Sequence, residues 1–241
     1  MKISVIVPAY NEERLLGSSL KCMRDAMTEF VKRGWACELI VCDNNSTDRT
    51  ADISRAASAR VVFEPLNQIS RARNAGARNA GGDWLVFVDA DSCPSAGLFA
   101  DTAQAIESGR YLAGGSTVAF AQAELAPALV LVAWNRLSRL TRWAAGSFMF
   151  CEAAAFHDAG GFNESLYASE EIDLFRRLKR LARSAGRGVV ILHRHPILTS
   201  DRKARLYGWD EMGLFLLKTI VRRGRTLRSR EACYAWYDGR R

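Results

Sequence analysis

Short runs of β-branched residues alternate with longer amphipathic stretches through the first half of the chain. The short runs predict strands, and the amphipathic stretches between them predict helices. Strands are predicted at residues 3–7, 38–42, 60–63 and 84–89, and helices at 12–32, 48–58 and 69–80. Strands joined in this way through helices pair in parallel, so the pattern predicts an α/β fold. We expect a Rossmann-like, mostly parallel sheet with helices on both faces.

The second half of the chain continues the alternation with less regular spacing. Strands are predicted at residues 113–120, 147–155 and 188–193, and helices at 123–145, 170–183 and 203–223. No linker, repeat or low-complexity segment interrupts the sequence. With 241 residues, of which 49% are hydrophobic, the chain can build one substantial core. A single domain over residues 1–241 is therefore expected.

The charge balance is basic, with 34 Lys and Arg against 26 Asp and Glu and a formal net charge of +8. Such a charge is compatible with an anionic partner, such as a nucleotide diphosphate or a phospholipid surface, or with a merely solvated basic surface. A nucleic acid is not the expected partner, because the basic cluster at residues 222–230 lacks the interleaved aromatic residues on which bases stack.

The cysteines and the first apolar run both indicate in which cellular compartment the protein is found. The six cysteines include no CxxC pair, so a zinc ribbon and a thioredoxin motif are excluded and free thiols are expected. The run at residues 3–7 is too short for the core of a signal peptide. We therefore expect a cytoplasmic protein.

No uninterrupted apolar run approaches the roughly 20 residues that cross a bilayer. Residues 125–143 nevertheless combine large apolar side chains with Arg136, Arg139 and Arg142. One interpretation is a helix that lies at the inner face of a membrane as a peripheral contact. The other is a helix that packs on the core and presents an arginine-lined face to solvent.

Acidic and polar segments follow three of the predicted strands, at residues 8–13, 43–48 and 89–91. Ligands of open α/β sheets bind at the carboxyl ends of the strands, so these segments are candidate site residues. Asp89 and Asp91 are two residues apart in an extended segment and point to the same side. Clustered carboxylates repel one another unless a cation neutralises them. Mg²⁺ or Mn²⁺ is the expected cofactor, because both ions take oxygen ligands.

Four segments occur in an order that is typical of one enzyme family: residues 3–13, 41–48, 72–76 and 87–91. With them, the chain resembles family 2 glycosyltransferases over about three quarters of its length, to about Arg183. The resemblance implies a GT-A fold, a nucleotide-sugar donor and an inverting transfer to an acceptor hydroxyl. A UDP- or GDP-linked sugar is the expected donor.

The resemblance also implies roles for individual residues of the donor half, residues 1–92. Arg73 would pair with the donor or with acidic loop groups, Asp89 would orient the ribose or the metal shell, and Asp91 would hold the metal. Asp43 would contact the base, with Asp48 supporting its loop, although Asn44 and Asn45 replace the Asp and Gly that the family commonly has there. The remaining donor-pocket residues would be Pro8, Tyr10 and Glu12.

In the acceptor half, residues 93–241, the segments 160–164 and 169–174 resemble the acceptor-side signature of the family. Glu171 stands at the position of the catalytic base, which is commonly an Asp, and Glu170 is the alternative base. His195 is a candidate third metal ligand, with a structural histidine as the equal alternative. The acceptor would be a saccharide or a lipid-linked molecule.

The main rival is a non-catalytic module of the same fold that binds a nucleotide sugar or a polysaccharide. The altered Asp43 loop and the Glu at position 171 permit it. A dehydrogenase is excluded, because the first predicted strand is followed by Pro-Ala-Tyr-Asn-Glu and lacks a GxGxxG fingerprint.

Overall fold

The computed structural model describes residues 1–120, 125–200 and 225–233. The helix predicted over residues 203–223, and residues 222–224 of the basic cluster at its end, lie outside these ranges. The described strands are β1 Lys2–Ala9, β2 Ala36–Asp43, β3 Arg60–Phe63, β4 Trp84–Val88, β5 Ser92–Cys93, β6 Tyr111–Phe120, β7 Phe148–Glu152 and β8 Gly188–Thr199. The described α-helices are α1 Leu16–Val31, α2 Thr50–Ala56, α3 Ile69–Arg78, α4 Ala96–Glu107, α5 Leu125–Thr141, α6 Ala153–Asp158 and α7 Glu170–Ser184.

The eight strands form one sheet in the order β3-β2-β1-β4-β7-β6-β8-β5. The first half is entirely parallel, as the alternation predicts: β1 pairs with both β2 and β4, and β2 pairs with β3. The second half is mixed, because β7 runs antiparallel to both β4 and β6, and β5 runs antiparallel to β8. Strands β6 and β8 are parallel. The α/β prediction is confirmed, and the parallel pairing is concentrated in strands β1 to β4.

Helices cover both faces of the sheet, and the strand residues alternate between two cores. On β1, Val5 and Val7 face the core beneath α1 and α4, whereas Ile6 faces the core beneath α3 and α7. On β4, Val86 and Phe87 divide between the same two cores. Because both faces of the sheet are buried, successive residues of each strand are apolar, and the strands appear in the sequence as continuous apolar runs.

Two predicted strands differ from the observed ones. The strand predicted at 147–155 ends at Glu152, where the alanine-rich segment begins α6. Strand β8 extends to Thr199, and its register with β6 shifts between the pairs Ser116–Leu192 and Val118–Ile197. The intervening residues, which include Pro196, bulge out of the ladder because proline has no amide hydrogen to donate.

The expectation of six free thiols is wrong for two of them. Cys22 on α1 and Cys93 on β5 form a disulfide across 71 residues of sequence. The remaining four, Cys37, Cys42, Cys151 and Cys233, are free. A pairing between a helix and a short strand so far apart in sequence follows from tertiary packing and leaves no local sequence signal.

Candidate active site

The carboxyl ends of three neighbouring strands meet at one edge of the sheet. β1 lies between β2 and β4, so the segments that follow Ala9, Asp43 and Val88 are adjacent. The predicted clustering of the acidic segments at one edge is therefore present. β1 and β4 also bound the point where the strand order reverses, which is where ligands of such sheets bind.

Hydrogen bonds join the loop after β1 to the loop after β2. The amide of Asn11 donates to Ser46 Oγ at 3.0 Å, and the amide of Thr47 donates to Asn11 Oδ1 at 2.8 Å. The amide of Glu12 donates to Thr50 Oγ1 at 2.8 Å. Asn11 itself has a positive φ of 51°, a conformation that asparagine tolerates better than most residues. The two loops therefore form one unit.

The two asparagines that replace the common family residues both have structural roles. Asn45 has a φ of 63°, so it supplies the left-handed conformation that glycine would otherwise supply. Asn44 is buried, and its Nδ2 donates to the carbonyls of Glu64 and Leu66 while its Oδ1 accepts from the amide of Gln68. Asn44 thereby fastens this loop to the connection between β3 and α3, a role that sequence reasoning missed.

The other predicted donor residues lie in or beside this unit. Asp43 is buried, and its Oδ1 accepts from the amide of Ser46 at 3.1 Å. Asp48 accepts from the amides of Thr50 and Glu13, which supports the loop as predicted. Three further predicted residues lie along the same segment: buried Pro8 on β1, half-buried Tyr10, and buried Glu12.

Arg73 on α3 is the most buried charged residue at this edge, with 1% of its surface exposed. Its Nη1 donates to Glu170 Oε1 at 2.7 Å, and its Nη2 donates to Asp89 Oδ1 at 2.8 Å and to the carbonyl of Gly146 at 3.0 Å. Burial alone would lower the pKa of the guanidinium, but the nearby carboxylates raise it. The arginine therefore stays charged and joins the end of β4 to the start of α7.

Glu170 and Glu171 occupy the first turn of α7, where the helix dipole favours negative charge. Glu170 is buried and bonded to Arg73, whereas Glu171 is half-buried and has no such bond to the arginine. Burial, and then the charge of Glu170, raise the pKa of Glu171 from 4.5 to about 8, although Arg73 acts in the opposite direction. Identical side chains therefore differ in chemistry: Glu170 is a carboxylate paired with Arg73, whereas Glu171 keeps its proton to a higher pH.

A cavity of about 300 Å³ lies beside these two glutamates. Its polar wall is formed by Arg73, Asp89, Ser147, Glu170 and Glu171. Its apolar wall is formed by Ile69, Val118, Leu131, Trp134 and Ala145. The cavity thus joins the end of β4, the start of α7 and the inner side of α5. Sequence reasoning missed the contribution of α5, because nothing local marks which helix face lines a site.

Asp89 and Asp91 follow β4, with Ala90 buried between them and both aspartates partly exposed. Thr199 and Ser92 hydroxyls lie at 3.5 Å from Asp91 Oδ1, so the surroundings offer oxygen ligands. No group of three or more His, Cys, Asp or Glu that could hold a metal ion occurs within residues 1–120, 125–200 and 225–233. The carboxylates and neighbouring hydroxyls are oxygen ligands of the kind that Mg²⁺ takes, and this ion is commonly bound by one or two carboxylates together with substrate phosphates.

His195 is not brought to these aspartates. Its Nδ1 lies 3.0 Å from Asp101 Oδ2 on α4, and its ring lies directly over Gly97 of the same helix. Residues 193–195 are all exposed and lie where the register between β6 and β8 shifts. In this structure His195 pairs with α4, as the alternative of a structural histidine expects, and its role as a third metal ligand stays a prediction.

Comparison with known proteins identifies the family. Residues 4–155, more than half of the chain, match the family model for glycosyl transferase family 2. The probable glycosyltransferase YdaM of Bacillus subtilis is 35% identical over 102 residues, which are 39% of this chain and 23% of YdaM. The chain spans at most 27% of the length of the first three curated relatives.

Solved structures share the fold. The mannosyltransferase PcManGT from Pyrobaculum calidifontis, solved with GDP-Man and Mn²⁺, has a TM-score of 0.67 and 19% identity, covering 89% of this chain and 61% of its own. Glucosyl-3-phosphoglycerate synthase from Mycobacterium tuberculosis, solved with Mn²⁺, UDP and glucosyl-3-phosphoglycerate, has a TM-score of 0.60 and 22% identity, covering 97% and 80%. The chain has their GT-A fold and belongs to glycosyl transferase family 2.

Proposed function

We propose that the chain is an inverting glycosyltransferase that moves a sugar from a UDP- or GDP-linked donor to an acceptor hydroxyl. The observation that carries the proposal is the position of Glu171. This half-buried carboxylate, with its raised pKa, lines a cavity together with Asp89 at the carboxyl end of β4. The proposal therefore assigns the base to the cavity that Asp89 also lines, at the edge of the sheet where the donor is expected to bind.

Residues 1–92 would bind the donor. The unit formed by the loops after β1 and β2 would hold the nucleotide, with Asp43 toward the base and with Pro8, Tyr10 and Glu12 along the pocket. The related structures support this placement, because they contain UDP or GDP-Man and Mn²⁺. Asp91, with Asp89 beside it, would hold Mg²⁺ or Mn²⁺. When bound, such an ion supplies positive charge that stabilises the departing diphosphate.

Residues 93–241 would bind the acceptor and supply the base. Glu171 takes the proton of the acceptor hydroxyl while that oxygen attacks the anomeric carbon. The bond from the carbon to the diphosphate oxygen breaks on the opposite face, and the nucleoside diphosphate leaves with the bonding electrons. One displacement inverts the anomeric configuration. Arg73 holds Asp89 and Glu170 in place during this step, so Glu170 serves as its counter-ion.

Replacing each glutamate by glutamine tests the assignment. Glu171→Gln should lower kcat about 100- to 10,000-fold with little change in the donor KM, because only proton transfer is lost. Release of nucleoside diphosphate from UDP- and GDP-sugars in the presence of a saccharide acceptor measures both constants. Glu170→Gln is the matched control, and it should retain more activity than Glu171→Gln while melting at a lower temperature. A near-normal kcat in Glu171→Gln would contradict the assignment and favour a non-catalytic module.

Stability should also depend on pH through Glu171. Its folded-state pKa is raised, so the protonated form stabilises the fold fully below its unfolded pKa, and that contribution is lost as the pH rises through about 8. Glu171→Gln should therefore melt like the wild type near pH 5 and several degrees higher near pH 9. Differential scanning fluorimetry across this range measures the difference. An equal or lower melting temperature for the variant at pH 9 would exclude a destabilising charge at this position.

The outer face of α5 supports a peripheral contact with the inner face of an anionic membrane. Val130, Leu137 and Leu140 are exposed there, the last by 84%, and Arg136 and Arg139 lie beside them. The inner face of the helix packs toward β6, as the second interpretation of this segment predicts, and the proposed membrane contact would use the opposite side. Within the described residues, no helix is long and apolar enough to cross a membrane.

Liposome sedimentation tests this contact. The wild type should sediment with vesicles that contain phosphatidylglycerol at low salt, and binding should fall as salt screens the arginines. Leu140→Glu should weaken binding, whereas Val31→Glu, at an exposed apolar position on α1 (60% exposed, against 84% for Leu140), should not. Equal binding by both variants would remove α5 from the proposal.

A further inference from the structure

The cavity beside Glu171 has two walls of opposite chemistry. Asp89, Glu170 and Glu171 form the polar wall around Arg73, while Trp134 and its neighbours form the apolar wall. A ligand in this space meets an aromatic surface on one side and carboxylates on the other. The volume of about 300 Å³ lies at the small end of ligand-sized cavities, so it suits a compact ring.

The polar wall is unsuited to an anion. Among the described residues that line the cavity, Arg73 is the only cation, and it faces three carboxylates. Both of its terminal nitrogens already donate, to Glu170, to Asp89 and to the carbonyl of Gly146. Its Nε is sealed from solvent. A phosphate or carboxylate in the cavity would therefore lie beside three carboxyl groups and find no free guanidinium fork.

The proposed role of Glu171 as a base also argues against a phosphate acceptor. A phosphate acceptor is already ionised and can attack the donor without losing a proton. A hydroxyl is a weak nucleophile at neutral pH and needs a base to accept its proton in the transition state. Glu171 supplies that base in the proposed mechanism, and a phosphate acceptor would have no use for it.

The aromatic wall is held firmly in position. Asn135, the residue after Trp134, accepts from the amide of Val118 at 3.0 Å and donates to the carbonyl of Val118 at 2.8 Å. This pair of bonds imitates a strand pairing and fixes α5 against β6. Leu131 precedes Trp134 by three residues, so both lie on one side of the helix and line the cavity together.

We infer that this cavity is the acceptor subsite and that it takes an uncharged sugar ring, stacked on Trp134, whose hydroxyl faces Glu171. The inference rests on the proposed function and narrows its acceptor to a neutral glycoside. Sugar rings present apolar C–H faces that pack on indole, and their hydroxyls match a carboxylate-rich wall. A lipid-linked acceptor is compatible with this subsite when its terminal unit is a neutral sugar, and a lipid phosphate is not.

Acceptor-stimulated release of nucleoside diphosphate tests the inference. The full chain is given Mn²⁺ with UDP-glucose, UDP-GlcNAc or GDP-mannose, and the acceptors are octyl glycosides of glucose, galactose, mannose and N-acetylglucosamine. The anionic comparison set is octyl glucuronide, sugar 6-phosphates and farnesyl phosphate. At least one neutral glycoside should stimulate release about tenfold or more over the anionic set. Water-only hydrolysis of the donor is recorded in parallel as a readout of the donor site.

Tryptophan variants assign the effect to the aromatic wall. Trp134→Ala should reduce the ratio of acceptor-stimulated release to water-only hydrolysis about tenfold or more, the scale expected for losing an aromatic stacking surface. Trp134→Phe should retain most of the stimulation by the neutral acceptor. Trp143→Ala is the matched control, because Trp143 packs under Arg176 and Lys179 outside the cavity, and it should behave like the wild type.

Three results would overturn the inference, and all of them leave the proposed function intact except stronger stimulation by farnesyl phosphate, which would replace the acceptor hydroxyl by a phosphate. These are stronger stimulation by farnesyl phosphate or another anion, full stimulation in Trp134→Ala, and no stimulation by any neutral glycoside despite donor hydrolysis. If the wild type neither hydrolyses a donor nor transfers from it, the proposed function itself fails, and the inference falls with it.

Discussion

The buried guanidinium of Arg73 is the interaction on which the arrangement of this site depends. Removing an arginine from water is costly unless carboxylates and carbonyls replace the lost hydration. Here two carboxylates and one carbonyl do so, and they come from the end of β4, the start of α7 and the loop before β7. One side chain of α3 therefore fixes the donor edge of the sheet relative to the helix that carries the proposed base. It also separates the chemistry of two adjacent glutamates.

Around this centre, the donor edge is built mainly from backbone geometry and short polar side chains. Asn11 and Asn45 adopt left-handed conformations, and their loops exchange hydrogen bonds with each other and with the segment that leads into α3. Such a unit can present amides and carboxylates without large rearrangement. The acceptor side differs, because it depends on the packing of α5 against β6 through Asn135.

Local patterns were enough to predict the donor half. The alternation of strands and helices gave β1 to β4 with α1 to α3, and period-2 spacing after β4 placed Asp89 and Asp91 on one side of a buried alanine. Asparagine tolerates a positive φ, which explains how Asn45 can replace the glycine that the family commonly has in this turn. The pairing of Arg73 with acidic groups was also anticipated, although Glu170 as its second partner was not.

The features that the sequence did not predict all arise from contacts between distant segments. Three examples depend on how the helices pack on the sheet. They are the Cys22–Cys93 disulfide, the contact of His195 with Asp101, and the position of Trp134 on a cavity wall. The bulge before Ile197 changed which residues of β8 face which side. Periodicity assumes an unbroken element, so it fails where proline interrupts a ladder.

The most direct test of the central claim is the melting temperature of the chain with Mn²⁺ and UDP, GDP or TDP. A ligand present at about 100 times its Kd adds roughly 2.7 kcal/mol, which corresponds to about 5 to 10 °C for a domain of this size. The account predicts such a shift for one nucleotide, its loss with EDTA and in Asp91→Asn, and its retention in Asp101→Asn, which disturbs only the partner of His195. A metal-assisted nucleotide site at this edge would be contradicted if the melting temperature rose with none of the three nucleotides. It would also be contradicted if the rise persisted with EDTA and in Asp91→Asn.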